Sequence, residues 1–414
     1  MKRTPLRVLP ALMLVAFSGL ASAAGFQLWE QNASGLGTAY AGSAAVADNA
    51  STIYYNPAGM TLIPGRQVSV GLSAVRPSFE FRNGSSFGTG ITAGAMVGSN
   101  GGDAGGWSAL PNAYLSWQVA PQWFVGVGVS TPFGLSTKYD DEAWIGRLQS
   151  IKSEITTVNV NPSVAYRLND KVSLGFGLNY QHINAEMTNM TPLGAYRLKG
   201  DDSAWGWNVG ALFTLSPAMR VGVSYRSAID YNLAGTRTLG VNSSSANADL
   251  KLPGTFILSV WQQVSDRWEA MGDISYTNWN TLNKLNVNYA GGTDVEAFNY
   301  QNSWRFAWGA AYKANDAWKA KFGIAYDRTP TTNGDRSARV PDNNRIWLTI
   351  GGQWKPAKDS TLDFGYAYLY LRDPSVSQTR VYTLPNGTVI GTATLDGRYN
   401  DNAHVLGLQY SQGF

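Results

Sequence analysis

From about Arg66 to the carboxy terminus, apolar residues recur at every second position in one segment after another. In the stretch 123–130 the residues Trp123, Val125, Val127 and Val129 share one face, and Phe124, Gly126, Gly128 and Ser130 share the other. Val172, Leu174, Phe176, Leu178 and Tyr180 alternate with Ser173, Gly175, Gly177 and Asn179, and Trp318, Ala320, Phe322, Ile324 and Tyr326 repeat the pattern. Leu362, Phe364, Tyr366, Tyr368 and Tyr370 do so again. A period of two is the mark of strands with unlike faces. A soluble sandwich alternates too, but its outer face carries charge, whereas only 14% of this chain is charged. No stretch after the first twenty or so residues approaches the ~18 unbroken apolar residues of a membrane helix. Lipid on one face and a polar or filled lumen on the other fits both facts, and predicts an all-β transmembrane barrel. Abundant Tyr (21) and Trp (15) supply the residues for its interfacial girdles.

The spacing of turn residues sets the strand number. Short turn signals fall at 120–122, 168–170, 216–218, 265–267, 314–316 and 356–359. Longer polar connections lie near 83–106, 131–151, 187–202, 227–249, 280–298, 328–342 and 373–398. Six short turns and seven long loops join 14 antiparallel strands, with both ends of the sheet on the short-turn side. That is the outer-membrane arrangement of short periplasmic turns and long extracellular loops. The last strand places Leu406, Leu408, Tyr410 and Phe414 on one face, and its terminal aromatic, Phe414, is the expected contact of the outer-membrane assembly machinery.

Lys2, Arg3 and Arg7 precede an apolar run, and Ala21-Ser22-Ala23 follows it. Residues 1–23 therefore read as a cleavable secretory signal, and Ala24 as the first mature residue. The chain has no cysteine and a net charge of +4 without a basic block, so neither thiol or cysteine-ligated metal chemistry nor nucleic-acid binding is indicated. No cofactor is expected. An enzyme is not expected either: His182 and His404 are the two histidines, both share lipid-side parity, and neither stands beside a nucleophile signature.

Residues 24–65 are unlike the rest, being rich in Gly and Ala, nearly uncharged, and turning at Asn56-Pro57-Ala58. The block AGFQLWEQNASGLGTAYAGSAAVADNASTIYYNPAGM resembles the amino terminus of the FadL/TodX family of outer-membrane channels for hydrophobic compounds. The segments AWIGR, NPSVAYRLND, LPGTFILSV, YTNW and RVPDNNRIWLTIGG resemble family patterns in the same order, so the similarity spans the mature chain.

The resemblance implies that residues 24–65 form a hatch that plugs a barrel made by 66–414. Fourteen strands enclose more lumen than their own side chains fill, so a plug is physically reasonable, and small residues let its backbone approach the wall. It further implies passive transport of long-chain fatty acids or similar hydrophobic molecules, with lateral exit into membrane lipid beside a kinked third strand. Pro132 and Gly134 interrupt that strand, either opening the wall or simply ending the strand. Phe26, Leu28 and Trp29 of the hatch are the expected contacts of an apolar tail. Where the family holds a carboxylate with basic residues, this chain shows Asn184 and Gln301; Arg147 and Arg345 are the substitute anchors. Arg305, Lys319 and Lys321 also face inward by alternation, where ion pairing with Asp273 or Asp363 would occupy them. A monoaromatic hydrocarbon channel of the same family and a general diffusion porin are the alternative readings. The porin needs no plug. The barrel is expected as a monomer in the bacterial outer membrane.

Overall fold

A computed structural model describes residues 25–384 and 386–414; the signal segment 1–23 lies outside them. The wall is a closed antiparallel barrel of 14 strands, as the turn spacing predicts. Closure comes from the first strand, Arg66–Asn83, pairing with the last, Val389–Gly413, from Gln67↔Gly413 to Asn83↔Gly397. Every strand thereby has two neighbours, which a sheet in lipid requires because no water is present to satisfy a free edge.

The alternation divides as expected. Val125, Leu174, Phe322, Phe364 and Leu408 are exposed on the outside, while their neighbours Phe124, Ser173, Lys321, Asp363 and Gln409 are buried within. Aromatic pairs ring the outside at two heights. Trp123–Tyr166, Trp268–Tyr312 and Trp318–Trp354 sit by the short turns, and Tyr180–Trp205, Trp207–Tyr225 and Tyr276–Trp304 sit farther up. Trp268 and Tyr276 belong to one strand, Trp268–Thr277, and lie about 27 Å apart along it at ~3.4 Å per residue. A strand tilt of ~40° reduces this to roughly 20 Å of height, comparable with the ~25 Å apolar band of outer-membrane barrels.

Several connections expected as loops are strands instead. Val172–Thr191 and Gly194–Ser216 run without a break through 187–202 and meet in a tight turn at Pro192-Leu193. Ile229–Leu239 pairs with Asn242–Leu252, Lys284–Tyr289 with Gly292–Ala297, and Ser375–Thr383 with the start of the last strand. These segments are polar on their outer face because they rise above the membrane, where water replaces lipid, while Leu233, Leu250 and Val287 keep the inner face apolar. Low hydrophobicity looked like a loop, although the backbone pairing continues.

Residues 25–65 fold inside the lumen as short turns: a 3-10 turn Leu36–Thr38, a helical turn Thr52–Tyr55 and a 3-10 stretch Pro57–Leu62. Their contacts explain the inward glycines of the wall. A Cβ on Gly222 would come within 1.9 Å of the Ala44 carbonyl oxygen, one on Gly323 within 2.2 Å of Thr38, and one on Gly175 within 2.3 Å of the Ala58 nitrogen. A Cβ on Gly309, Gly351, Gly365 or Gly407 would meet residues 33–41 at 2.8 to 3.0 Å. At Gly175, Gly222 and Gly323 the alternation thus serves lipid with one residue and the hatch backbone with the next, while Gly126, Gly128 and Gly177 make room for side chains in the lumen.

Candidate functional site

Asn56 ties the hatch to itself and to the wall. Its side chain is fully buried; Nδ2 donates to the carbonyls of Ala44 (2.7 Å) and Ala211 (3.0 Å), and Oδ1 accepts from the Ala58 amide (3.0 Å). Pro57 follows in helical geometry, which its fixed φ suits, and Asn56 stays extended, as a residue before proline prefers. Wall side chains hold the remaining hatch backbone. Asp273 accepts from the Gly42 and Ser43 amides and from the Ser43 hydroxyl, Arg305 donates to the Ala39 carbonyl, and Lys321 donates to the Ser34 carbonyl and to Asp363. Lys319 pairs with Glu269. These four inward charges therefore sit in ion pairs or on hatch amides and carbonyls, which offsets their lost hydration.

The third strand breaks. Trp123–Ser130 pairs with the second strand, Ser108–Gln118, only along Ala113–Gln118, so Ser108–Asn112 has wall pairing on one side alone. After Ser130 the chain leaves the ladder, and Gly134–Lys138 resumes pairing with the fourth strand, Lys152–Arg167. The hatch takes up the freed backbone. Leu28 N donates to the Pro132 carbonyl (2.8 Å), Gly134 N donates to the Phe26 carbonyl (2.8 Å), and Gln31 Nε2 donates to the Thr131 carbonyl (2.7 Å). Gln27 and Phe133 form an antiparallel bridge. Pro132 and Gly134 thus lie beside a gap in wall pairing that faces lipid on one side and the hatch on the other.

Above this bridge is a chamber with about 720 Å³ free of protein atoms, part of it open to the outside. Phe26, Leu135, Ile155, Leu233, Leu250, Leu285, Val287 and Phe298 line it, making its wall almost wholly hydrocarbon. Phe26 packs edge-on against Trp279 (4.9 Å between centroids) and Phe133 (6.2 Å). One hatch residue therefore belongs both to the chamber wall and, through its carbonyl, to the broken strand. Arg339 stands at the polar rim, where Glu296 (3.1 Å), Ser153 (3.2 Å) and Asn189 (3.0 Å) accept from it. Burial raises the Glu296 carboxyl, but Arg380 and Arg339 beside it outweigh this and hold it below its ordinary value.

The other expected ligand contacts lie elsewhere. Leu28 and Trp29 border a second, smaller space below Phe26, and Arg305 stacks on the Trp29 ring at 4.5 Å. Arg147 sits in an extracellular turn and donates to the carbonyls of Val97, Ala143 and Trp144. Arg345 is buried against the Asp342 carboxylate, whose second oxygen accepts from Gly25 N (2.8 Å). Neither arginine lines the apolar chamber, because closer carbonyls or a carboxylate hold it. Asn184 is exposed on the lipid-side parity of its strand, and Gln301 is exposed in a loop, so neither stands at a lumenal anchor position. The chamber residues Leu233, Leu250 and Val287 were missed because their segments read as polar loops. Their signal was a faint alternation, Tyr231-Leu233 and Ala246-Ala248-Leu250, on the inner face of the raised hairpins.

Comparison with known proteins agrees with this architecture. A family profile described as "Outer membrane protein transport protein (OMPP1/FadL/TodX)" matches residues 14–414. Outer membrane protein P1 of Haemophilus influenzae is 31% identical, covering 99% of this chain and 100% of its own length. A long-chain fatty acid transport protein of Escherichia coli is 28% identical, covering 87% of this chain and 90% of its own. The crystal structure of a Pseudomonas aeruginosa FadL homologue superposes with a TM-score of 0.84 at 23% identity, over 94% of this chain and 100% of that one. The barrel, its lumenal plug and the full-length match together mean that this chain belongs to the OMPP1/FadL/TodX family of outer-membrane transport proteins.

Proposed function

We propose that the protein is a passive channel for fatty acids or similar hydrophobic molecules, which wait in the apolar chamber and leave sideways through the gap beside the third strand. The observation that carries this reading is the double role of Phe26, whose ring closes the chamber while its carbonyl pairs with Gly134 at the gap. Displacing this hatch arm would join the two spaces. Lateral release suits an apolar solute, because passage into lipid avoids exposing hydrocarbon to water. Pro132 supports the opening by offering no N–H to a neighbouring strand. The family supports a transporter over an enzyme, and both histidine contacts, His182 with Ser203 and His404 with Tyr366, lie on the lipid side of the wall, away from the chamber. Membrane lipid and the assembly machinery are the remaining partners in this reading, and the barrel acts as a monomer.

The chain has no cysteine, so the arm can be locked cleanly. Gln27 and Phe133 face each other as a non-hydrogen-bonded pair, where Cα atoms are ~4.5 Å apart and a disulfide fits. Oxidised Gln27→Cys/Phe133→Cys protein should fold normally yet take up labelled oleate at least tenfold more slowly, with reductant restoring the rate. Full uptake through the locked arm would refute lateral exit at this gap. A steady ionic current through the unlocked protein would favour the porin alternative, and uptake of toluene but not oleate the monoaromatic one.

A further inference from the structure

We propose that Arg226 and Asn208 form a carboxylate-binding subsite below the hatch arm, distinct from the apolar chamber; this rests on the hydrophobic-channel reading above. Arg226 ends the strand Met219–Arg226 and faces the lumen. It donates to Asn179 Oδ1, to the Tyr54 carbonyl (2.8 Å) and at the limit to Asn161 Oδ1 (3.5 Å), and lies 4.2 Å over the Tyr54 ring. Among the described residues none of these partners is a carboxylate. Arg345, Lys321, Lys319, Arg339 and Arg380, which also face the interior, each have one, whereas Arg305 and Arg336, like Arg226, are held by carbonyls or an amide instead. A guanidinium carries more N–H donors than these acceptors use, and an inner cation without a counter-charge is costly.

The neighbours add a donor and a space. Asn208 is buried; its Oδ1 accepts from Asn161 and Asn179 (both 3.0 Å), which fixes the amide orientation and leaves Nδ2 without a partner. Arg226 and Asn208 border one space with about 370 Å³ free of protein atoms, part of it open, whose lining by Leu28, Trp29, Thr255 and Ile257 is mostly apolar and which a ligand would have to widen by moving the hatch arm. A carboxylate there accepts from both side chains and neutralises the arginine, while its first methylenes meet Leu28 and Trp29. On the fourth strand Ile155 lines the upper chamber and Asn161 touches Arg226, roughly 20 Å apart at ~3.3 Å per residue. An extended long-chain acid is long enough to span both sites once the hatch arm between them moves. A short hydrocarbon fills the upper one alone.

Arg226 also clamps the hatch at Tyr54, so the test must separate charge recognition from anchoring. Binding of radiolabelled palmitate and methyl palmitate is measured on purified protein in amphipol, for the parent, Arg226→Gln and Asn208→Asp. The second variant leaves the Tyr54 contact in place but sets a fixed negative charge against the guanidinium. Palmitate should bind the parent at least tenfold more tightly than its ester and lose ten- to hundredfold in both variants, with ester affinity within twofold throughout. If Arg226→Gln fails to give the heat-modifiable folded band, Asn208→Asp carries the comparison. Equal binding of acid and ester by the parent, or equal losses of both ligands in Asn208→Asp, overturns the subsite and leaves the channel reading standing. Failure of the parent to bind either ligand overturns the channel reading itself.

Discussion

Replacing Asn56 with Ala should loosen the hatch without loosening the barrel. The substitution removes three hydrogen bonds at a fully buried site, to Ala44, Ala211 and Ala58, and leaves those backbone groups short of a partner. At about 1 kcal/mol for each bond, with some local adjustment, the loss is roughly 2 to 4 kcal/mol, or about 30- to 1,000-fold in the equilibrium between seated and unseated hatch. The wall does not share the loss, because its stability resides in the closed ladder of backbone bonds. Amide hydrogen exchange of protein in lipid nanodiscs reads the two separately. Peptides covering 50–62 should exchange faster by that factor, while peptides from the first and last strands keep their rates and the heat-modifiable band is unchanged. Uptake of labelled fatty acid should change with the hatch. Unaltered exchange in 50–62, or acceleration of hatch and wall together, would show that Asn56 is no independent hatch latch.

Three further outcomes follow from the same contacts. Deleting Phe414 should lower the folded yield in membranes, because its amide and carbonyl pair with Arg66 where the barrel closes and its ring is exposed to lipid; unchanged yield and folding would remove that argument. Burial raises the Glu30 carboxyl from 4.5 to about 7, with Asp327 adding to the rise and its own backbone bond, Arg345 and Arg305 opposing it. A seated hatch therefore holds this proton where an unfolded one releases it, so its stability should fall as pH rises from about 4.5 to 7 and level off above, and Glu30→Gln should flatten the profile measured by hydrogen exchange. Gly210→Val should mimic Asn56→Ala, since even a Cβ at that position would lie 2.0 Å from Asn56 Oδ1; normal hatch protection in the variant would contradict so close a fit.

Strand parity, strand number, barrel closure and the separate character of residues 24–65 were legible in the sequence, because each depends on local order: a side chain alternates with its neighbour, and a turn follows a strand. The glycines that alternate with Val125, Val127, Leu174 and Phe176 were equally visible, though their reason was not. That reason is lumenal crowding: hatch backbone at Gly175, the hatch side chains Ile53 and Met60 at Gly126, the Tyr114 ring at Gly128, and Asn208, Ser163 and Asn161 at Gly177. What the lumen does with its charges had to wait for the tertiary structure. Arg147, Arg226, Arg305 and Arg345 look alike in one dimension, yet one caps loop carbonyls, one holds hatch and asparagines, one stacks on Trp29 and one faces Asp342. Partners as distant in sequence as Gly25 and Asp342, or Tyr54 and Arg226, meet only because the closed wall brings both to one height around the hatch. Local periodicity fixes which way a residue faces; the curvature of the barrel and the path of the plug decide what it faces.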